Sequence, residues 1–412
     1  MMRVLFISNF YPPYVLGGWE QNCQEIATHL TRRGHGCHIL TSDYNAIAVT
    51  TREEDVTRAL YLQADIRYYR PLDFFLRRPQ QEQANQRALR RALDLFRPDV
   101  VFIWGMWNLS TQVAYWAEQW MPGKVAYAIA NYWLIEPDVH AAYWQGRARR
   151  PWIAALMAPA RWLALRTLAK ERATYPLALE HAACVSEYVR RKLTEAGALL
   201  HGGRVIYNGI DPRAFVVAAE RRPQRDGSLH LIYTGGLLTH KGVHTAIEAL
   251  GLLRRGGEVE GVSLTLVGDG HPDYETFLRQ RVTELGLEQQ VFFLGRVPRE
   301  KIPDILAEAD VFLFTSVWEE PIARSVMEAM AAGLAVIGTA VGGQREMLED
   351  GVNALVFAPE DSAKLADCIV QLKHEPDRRV ALARAGQRMV LERFSLEHMV
   401  DEMEAWLQEI VG

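Results

Sequence analysis

Glu320 and Glu328 stand in the stretch SVWEEPIARSVMEAMAAGLAVIGT, Ser316 to Thr339, with a proline directly behind the first and small residues after the second. Pro321 suits a turn or a first helical turn, and Val326, Met327, Met330 and Ala331 recur at helical spacing until Gly333 ends the run. Glu320 is therefore expected on a loop at a helix N-terminus, with Glu328 inside the helix. Unbonded amides and the dipole make a helix N-terminus hospitable to an anion, and a polyol lying between two carboxylates is gripped by its hydroxyls. Two carboxylates that merely favour a positive helix end would look the same, so the pair alone leaves both readings open.

A cation comes from a second stretch. YTGGLLTHKGV reads as a strand, a glycine turn at Gly235 and Gly236, and Lys241 at the start of a helix. In that geometry backbone amides and an ammonium can cradle a diphosphate. The spacing is not that of a P-loop, and neither LGGWE nor VGDG supplies the G-x-G-x-x-G dinucleotide fingerprint. Taken singly, such a lysine is more often a solvated surface residue.

The elements that must position these residues alternate. RVLFIS, CHILTS, DVVFIW and KVAYAIA are apolar runs of strand length, with the helical pattern of WEQNCQEIATHLTRRGH after the first. The pattern restarts after RVIYNGIDPRAF: LHLIYTGG, VSLTLVGDG, VFFLG, DVFLFTS and LAVIGT are strands, KGVHTAIEALGLLRRGG and YETFLRQRVTELGL helices. Strand, helix, strand in this order predicts parallel, doubly wound sheets. Two such sheets facing each other across a linker near Asn208–Pro223 would bind ligands at the carboxyl ends of their strands, in a cleft. A final amphipathic helix, RFSLEHMVDEMEAWLQEIVG, has Ser395 as its N-cap.

Composition narrows the class. With 412 residues, 49% hydrophobic and 23% charged, the chain has the length of two or three globular domains. Cys23, Cys37, Cys184 and Cys368 are scattered without CxxC spacing or a histidine cluster, which fits a reducing cytoplasm better than a disulfide framework or a zinc site. MMRVLFISNFYPP reads as a first strand rather than a signal peptide, and no apolar run approaches the ~18–20 residues of a membrane span. Residues 1–205 hold 25 basic and 18 acidic side chains (+7), leaving 21 and 32 (−11) for residues 206–412, as two domains with different partners would. The excess is modest and no nucleic-acid reader motif accompanies it.

In combination the motifs are recognisable. YPPYVLGGWEQNCQEIATHLTRRGH, ACVSEYVRRKL, RVIYNGIDPRAF, YTGGLLTHKGV, LTLVGDG, VFFLGRV and the segment from Ala309 to Phe357 occur in one order that resembles family 4 of the retaining glycosyltransferases. The resemblance implies an α/β GT-B fold: two Rossmann-like, doubly wound domains facing across a cleft, with the C-terminal helix crossing back to the first. It implies an acceptor-binding domain over 1–207, a nucleotide-sugar domain over 208–390, and the returning helix over 391–412. Glu328 would hold the donor ribose, Glu320 would contact the transferred sugar, and Lys241 would neutralise the diphosphate. Gly235 and Gly236, the amides of Gly17 and Gly18, and the helix start at Ala323, Arg324 and Ser325 would line the donor, and the main chain of Arg296 and Val297 would meet the base. No bound cofactor or metal is implied: the donor is a nucleotide diphosphate sugar, a UDP- or GDP-sugar, and Lys241 with two helix ends offsets its charge. The acceptor would be a glycan, a lipid-linked glycan or a small molecule.

Three positions depart from the family pattern. Gly236 stands where many relatives have arginine, Ala323 where many have glycine, and Ala130 and Asn131 occupy the histidine and aspartate places of the His-Asp-Tyr-Trp segment. Asn131 is the remaining hydrogen-bonder there. These changes motivate an alternative, a catalytically impaired nucleotide-sugar-binding partner or sensor, which the retained Glu320, Glu328 and Lys241 oppose.

From Val139 to Lys170 there is no acidic residue, while Arg147, Arg149, Arg150, Arg161, Arg166 and Lys170 interleave with Trp144, Trp152 and Trp162. Such a segment, within residues 139–172, suits an anionic membrane interface and a position at the inner face of the membrane. It equally suits ordinary helices with core tryptophans and solvated arginines.

Overall fold

The computed structural model describes residues 1–44, 55–146, 151–198, 200, 203–220 and 227–412. The chain divides into two compact units, one of residues Met1–Val185, Val189–Ile206 and Val400–Gly412, the other of Ser186–Tyr188 and Tyr207–Met399.

The first stretch of chain runs β1 (Arg3–Ser8), α1 (Gly18–Arg32), β2 (Gly36–Ser42), β3 (Val56–Leu60), α2 (Pro71–Leu76), α3 (Arg78–Phe96), β4 (Val100–Gly105), α4 (Thr111–Trp120), β5 (Val125–Ile129), α5 (Val139–Gln145), α6 (Pro151–Thr174), β6 (His181–Cys184), α7 (Glu187–Glu195) and β7 (Arg204–Val205). Its strands form one parallel sheet in the order β3-β2-β1-β4-β5-β6-β7. Helices cover both faces of a doubly wound sheet, so its central strands bury every side chain rather than alternate ones. Val4 to Ile7 and Val100 to Ile103 are accordingly all buried. Helix α1 buries Cys23, Ile26, Ala27 and Leu30, one stripe at helical spacing, and stops before Gly34, which takes a φ of +90°.

The second stretch runs α8 (Arg213–Glu220), β8 (Leu229–Thr234), α9 (Val243–Arg255), β9 (Val262–Val267), α10 (Pro272–Glu284), β10 (Val291–Gly295), α11 (Ile302–Ala307), β11 (Val311–Phe314), α12 (Arg324–Ala331), β12 (Ala335–Thr339), β13 (Leu355–Phe357), α13 (Ser362–His374), α14 (Pro376–Arg393) and α15 (Leu396–Val411). Strand order is β10-β9-β8-β11-β12-β13, again all parallel. Both sheets are Rossmann-like. The stretch expected to be a linker, Asn208–Pro223, instead carries α8, because Phe215 and Ala218 of its apolar run bury themselves; Pro223 lies outside the described residues.

Helix α15 begins in the second unit and ends in the first. Ser395 caps it as expected, its Oγ accepting from the His398 amide at 3.2 Å. Further along, Glu404 accepts from Arg33 at 2.6 Å and from His35 Nε2 at 2.8 Å, and Trp406 meets Phe102 edge-on. Met2 N–H donates to His35 Nδ1, which leaves the imidazole proton on Nε2 facing the carboxylate. Lys124 Nζ donates to the Ile410 and Val411 carbonyls, supplying the cation that the last turn of a helix favours.

One carboxyl inside the first unit titrates in the physiological range. Burial pushes the Glu82 carboxyl up to about 7, against the pull of Arg78. A carboxyl whose folded pKa is raised stabilises the fold most below its unfolded pKa, and that contribution is lost as pH rises through the folded value. The stability difference between Glu82→Gln and the parent is therefore expected to grow in favour of the glutamine between about pH 4.5 and pH 7, by roughly 1–3 kcal/mol, and then to level off. Urea titrations across that range measure it, and a pH-independent difference would remove the assignment.

Candidate active site

In the second unit the expected residues collect where the strands end. Lys241 lies in the turn after β8, Arg296 and Val297 in the loop after β10, Glu320 in the loop after β11, and Glu328 on α12. This is the edge at which open parallel sheets bind ligands.

Glycines let these loops close on one another. Gly268 has a φ of +134°, and a Cβ there would strike the Gly235 carbonyl; one on Gly270 would strike that of Leu237. Gly242, at a φ of +63°, passes equally close to the Thr315 carbonyl, and Thr315 Oγ1 donates to the Lys241 carbonyl at 2.8 Å. Lys241 is held between β8 and β11 by these contacts, and its ammonium donates to Glu320 Oε1.

Glu320 is buried and fixed from several sides. Ser316 Oγ donates to Oε1 at 3.1 Å, and the Gly343 amide donates to the Glu320 carbonyl at 2.8 Å. The next carbonyl, that of Pro321, accepts from Ser186 Oγ at 2.8 Å, so a residue from the Cys184–Val189 stretch steadies the loop. The adjoining peptides of Glu187 and Tyr188 and the Tyr207 hydroxyl all donate to the Glu346 carboxylate.

Helix α12 opens at Arg324 with Ala323 in the N-cap position, a residue with no side-chain oxygen to offer the first turn. The Ala323 amide donates to Gln344 Oε1 at 2.8 Å. Glu328, 4% exposed, points its Oε1 at two cations: Arg324 Nε at 3.0 Å and the Arg299 guanidinium. Arg296 is exposed and Val297 half-buried beside them in sequence. A cavity of about 740 Å³ also occurs in this unit, over Ile232, Thr265 and Phe292, but none of the candidate residues lines it.

In the first unit Gly17, Gly18, Ala130 and Asn131 line one cavity of about 330 Å³ together with Trp19, Trp104, Trp107 and Trp133. Trp19 and Trp104 stack at 4.1 Å, and each indole N–H donates to the other's carbonyl. The Gly17 amide already donates to Glu20 Oε2 at 2.9 Å, leaving Gly18 as the residue that opens α1. Asn131 Oδ1 accepts from the Trp133 amide at 3.3 Å. Asn9 donates to the Trp107 carbonyl, while its buried Oδ1 has no hydrogen-bond partner among the described residues.

Several of these residues escaped the sequence reading: Arg299, Ser316, Gln344, Ser186, Asn9 and the tryptophan lining. Arg299 follows Arg296 within the motif GRVPREK, and that proximity was the available signal; nothing in sequence joins Ser186 to Pro321.

Two parallel Rossmann-like units, the second with a lysine, two carboxylates and a helix start at its strand ends, define a GT-B glycosyltransferase architecture. A model of group 1 glycosyl transferases matches residues 218–389, and one of glycosyltransferase family 4 matches residues 16–214. The chain belongs to the family 4 glycosyltransferases. It is 26% identical to a Mycobacterium tuberculosis glycogen synthase over 407 residues, covering 95% of this chain and 91% of that protein. Against a 2-deoxystreptamine glucosyltransferase of Streptomyces kanamyceticus the identity is 29% over 248 residues, 57% of this chain and 62% of that one. Among solved structures, Anabaena HepE in complex with UDP superposes with a TM-score of 0.72 at 21% identity, covering 99% of this chain and 100% of that chain. Sucrose-phosphate synthase from Thermosynechococcus elongatus gives 0.71 at 18% identity, with 100% and 99% covered.

Proposed function

We propose that the protein is a retaining, metal-independent hexosyltransferase that takes its sugar from a nucleotide diphosphate donor, a UDP- or GDP-sugar. The carrying observation is the Lys241–Glu320 pair just ahead of α12, with Glu328 inside that helix, at one sheet edge. Glu328 holds the ribose hydroxyls and Glu320 a hydroxyl of the transferred sugar. Lys241 turns from Glu320 to the diphosphate, where the amides of Arg324 and Ser325 add their dipole. Gly235 and Gly236 give the donor close access to backbone, Ala323 with its methyl stands where the sugar approaches α12, and Arg296 and Val297 meet the base.

The reaction is a front-face displacement. The anomeric carbon–oxygen bond to the phosphate breaks while the acceptor oxygen bonds on the same face, and the acceptor's proton passes to a leaving phosphate oxygen. Lys241 stabilises the charge that builds on that phosphate.

The acceptor is a glycan or a lipid-linked glycan met at an anionic membrane surface on the cytoplasmic side. Trp144 is core, but Trp152 and Trp162 are 62% and 59% exposed on α6, with Arg161, Arg166 and Lys170 on the same helix; Arg147, Arg149 and Arg150 lie outside the described residues. No helix among the described residues is long and apolar enough to cross a membrane.

The test is a thermal-shift screen with UDP, GDP, ADP and their glucose conjugates in EDTA, followed by proton NMR of hexose released from the stabilising donor. One nucleotide should raise the melting temperature, and an α-donor should release α-hexose first. Initial β-hexose would overturn retention, a requirement for added divalent ions would overturn metal independence, and a nucleotide shift with no turnover would favour the sensor reading.

A further inference from the structure

The first unit holds another cavity, of about 570 Å³, between α6 and the segments that follow β4 and β5. Trp133 lines both this cavity and the tryptophan-walled one that contains Asn131, so the two adjoin across a single indole. Its walls differ in chemistry. One carries Gln63, Arg78, Gln112, Asp138 and Glu171; the other is the apolar side of α6, Leu165, Leu168 and Ala169.

The polar wall is built for a ligand rather than for stability. Arg78 and Glu171 form a bidentate pair, Nη1 reaching Oε1 at 3.0 Å, with Arg78 only 7% exposed. A buried ion pair gains little over an apolar replacement, because desolvation offsets the attraction. Buried Gln63 Oε1 has no hydrogen-bond partner among the described residues, and Arg78 Nε, 3.8 Å from Glu82 Oε1, makes no hydrogen bond there either, so one acceptor and one donor are left over. Hydroxyl groups satisfy both kinds of orphan at once.

Helix α6 continues the apolar wall outward. Trp162, which is exposed, stands three residues before Leu165 and seven before Ala169 on the same face of the helix, and carries that wall to the surface. A molecule seated in the cavity can therefore leave it along hydrocarbon.

We infer that this cavity is the acceptor site and that the acceptor is an amphiphile, with a hydroxylated head against Gln63, Arg78 and Glu171 and an apolar chain along Leu165, Leu168 and Trp162. The inference rests on the transfer reading above, which needs an acceptor hydroxyl.

Octyl β-glucoside, kept monomeric, and glucose are the probes, titrated against the full-length protein by calorimetry with and without the nucleotide that shifts its melting temperature. Ala169→Trp places an indole at the exposed rim of the cavity, and Ala173→Trp does the same one turn on, off the lining. Octyl glucoside should bind the parent and Ala173→Trp saturably, at least about tenfold more tightly than glucose, since each buried methylene contributes about 0.8 kcal/mol. Ala169→Trp should weaken it about tenfold or more while keeping the nucleotide shift. Equal binding to the two tryptophan variants, glucose binding as tightly as octyl glucoside, or non-saturable uptake would each overturn the assignment. Octyl glucoside binding without any nucleotide shift would keep the cavity as an amphiphile site and sink the transfer reading instead.

Discussion

Lys241→Ala is expected to lower kcat about a thousandfold with a smaller change in KM, the loss typical of removing one preorganised partner of developing negative charge. Chemistry is only part of the effect. The lysine is 25% exposed at its side chain and the Glu320 side chain 9%, so the variant leaves a nearly buried carboxylate without its cation. Breaking such a pair costs roughly 3–5 kcal/mol when the remaining charge has no other partner, and Ser316 Oγ offsets part of that here. The two contributions separate in the double variant Lys241→Ala/Glu320→Gln, which should recover most of the melting temperature and none of the activity. Full activity in a folded Lys241→Ala protein would mean that the lysine serves only to hold Glu320.

Glu328→Ala should abolish the nucleotide-induced thermal shift. Two charge-assisted hydrogen bonds to ribose hydroxyls, at about 1.4 kcal/mol each, correspond to an increase of about a hundredfold in the nucleotide Kd. The structure adds a competing role, because Glu328 also neutralises Arg299 and Arg324. If neutralising those arginines were its whole purpose, the variant would expose two cations beside the phosphates and bind nucleotide more tightly. The sign of the change in Kd, read by calorimetry, therefore decides between ribose holder and counterion, and Glu328→Gln, which keeps an acceptor oxygen, should fall between parent and alanine.

The sheets were legible because a strand buried on both faces announces itself as an unbroken apolar run: RVLFIS, CHILTS, LHLIYT and LAVIGT all became strands within a residue or two of their expected ends. The runs that went unread are short or mixed. Val56–Leu60 alternates with polar residues, Arg204–Val205 has only two, and Leu355–Phe357 is embedded in loop. Helix α8 was read as linker because its apolar pattern spans barely two turns between a proline and a charged stretch.

For the candidate site, motif spacing placed Lys241 in the turn after a strand, Glu320 in a loop before a helix and Glu328 inside that helix, which is where the fold has them. It could not reveal Ser186 bonded to the Pro321 carbonyl or Arg299 bonded to Glu328, because these pairs are 135 and 29 residues apart and depend on tertiary folding. Nor could it divide the tryptophans of residues 139–172, of which Trp144 closes on Phe74 and Phe75 while Trp152 and Trp162 stay outside.

The return of α15 to the first unit bears on the order in which the protein is made. Chains usually fold from the N-terminus during synthesis, one domain completing before the next emerges. Here the first unit cannot finish early: Trp406 for Phe102, Glu404 for Arg33 and His35, and the carbonyls that bind Lys124 all follow the second unit in the chain. The second unit, synthesised later, has all its own strands on hand by residue 357. On the ribosome it is the N-terminal unit that must wait, and emergence of α15, rather than of its own sheet, lets it close.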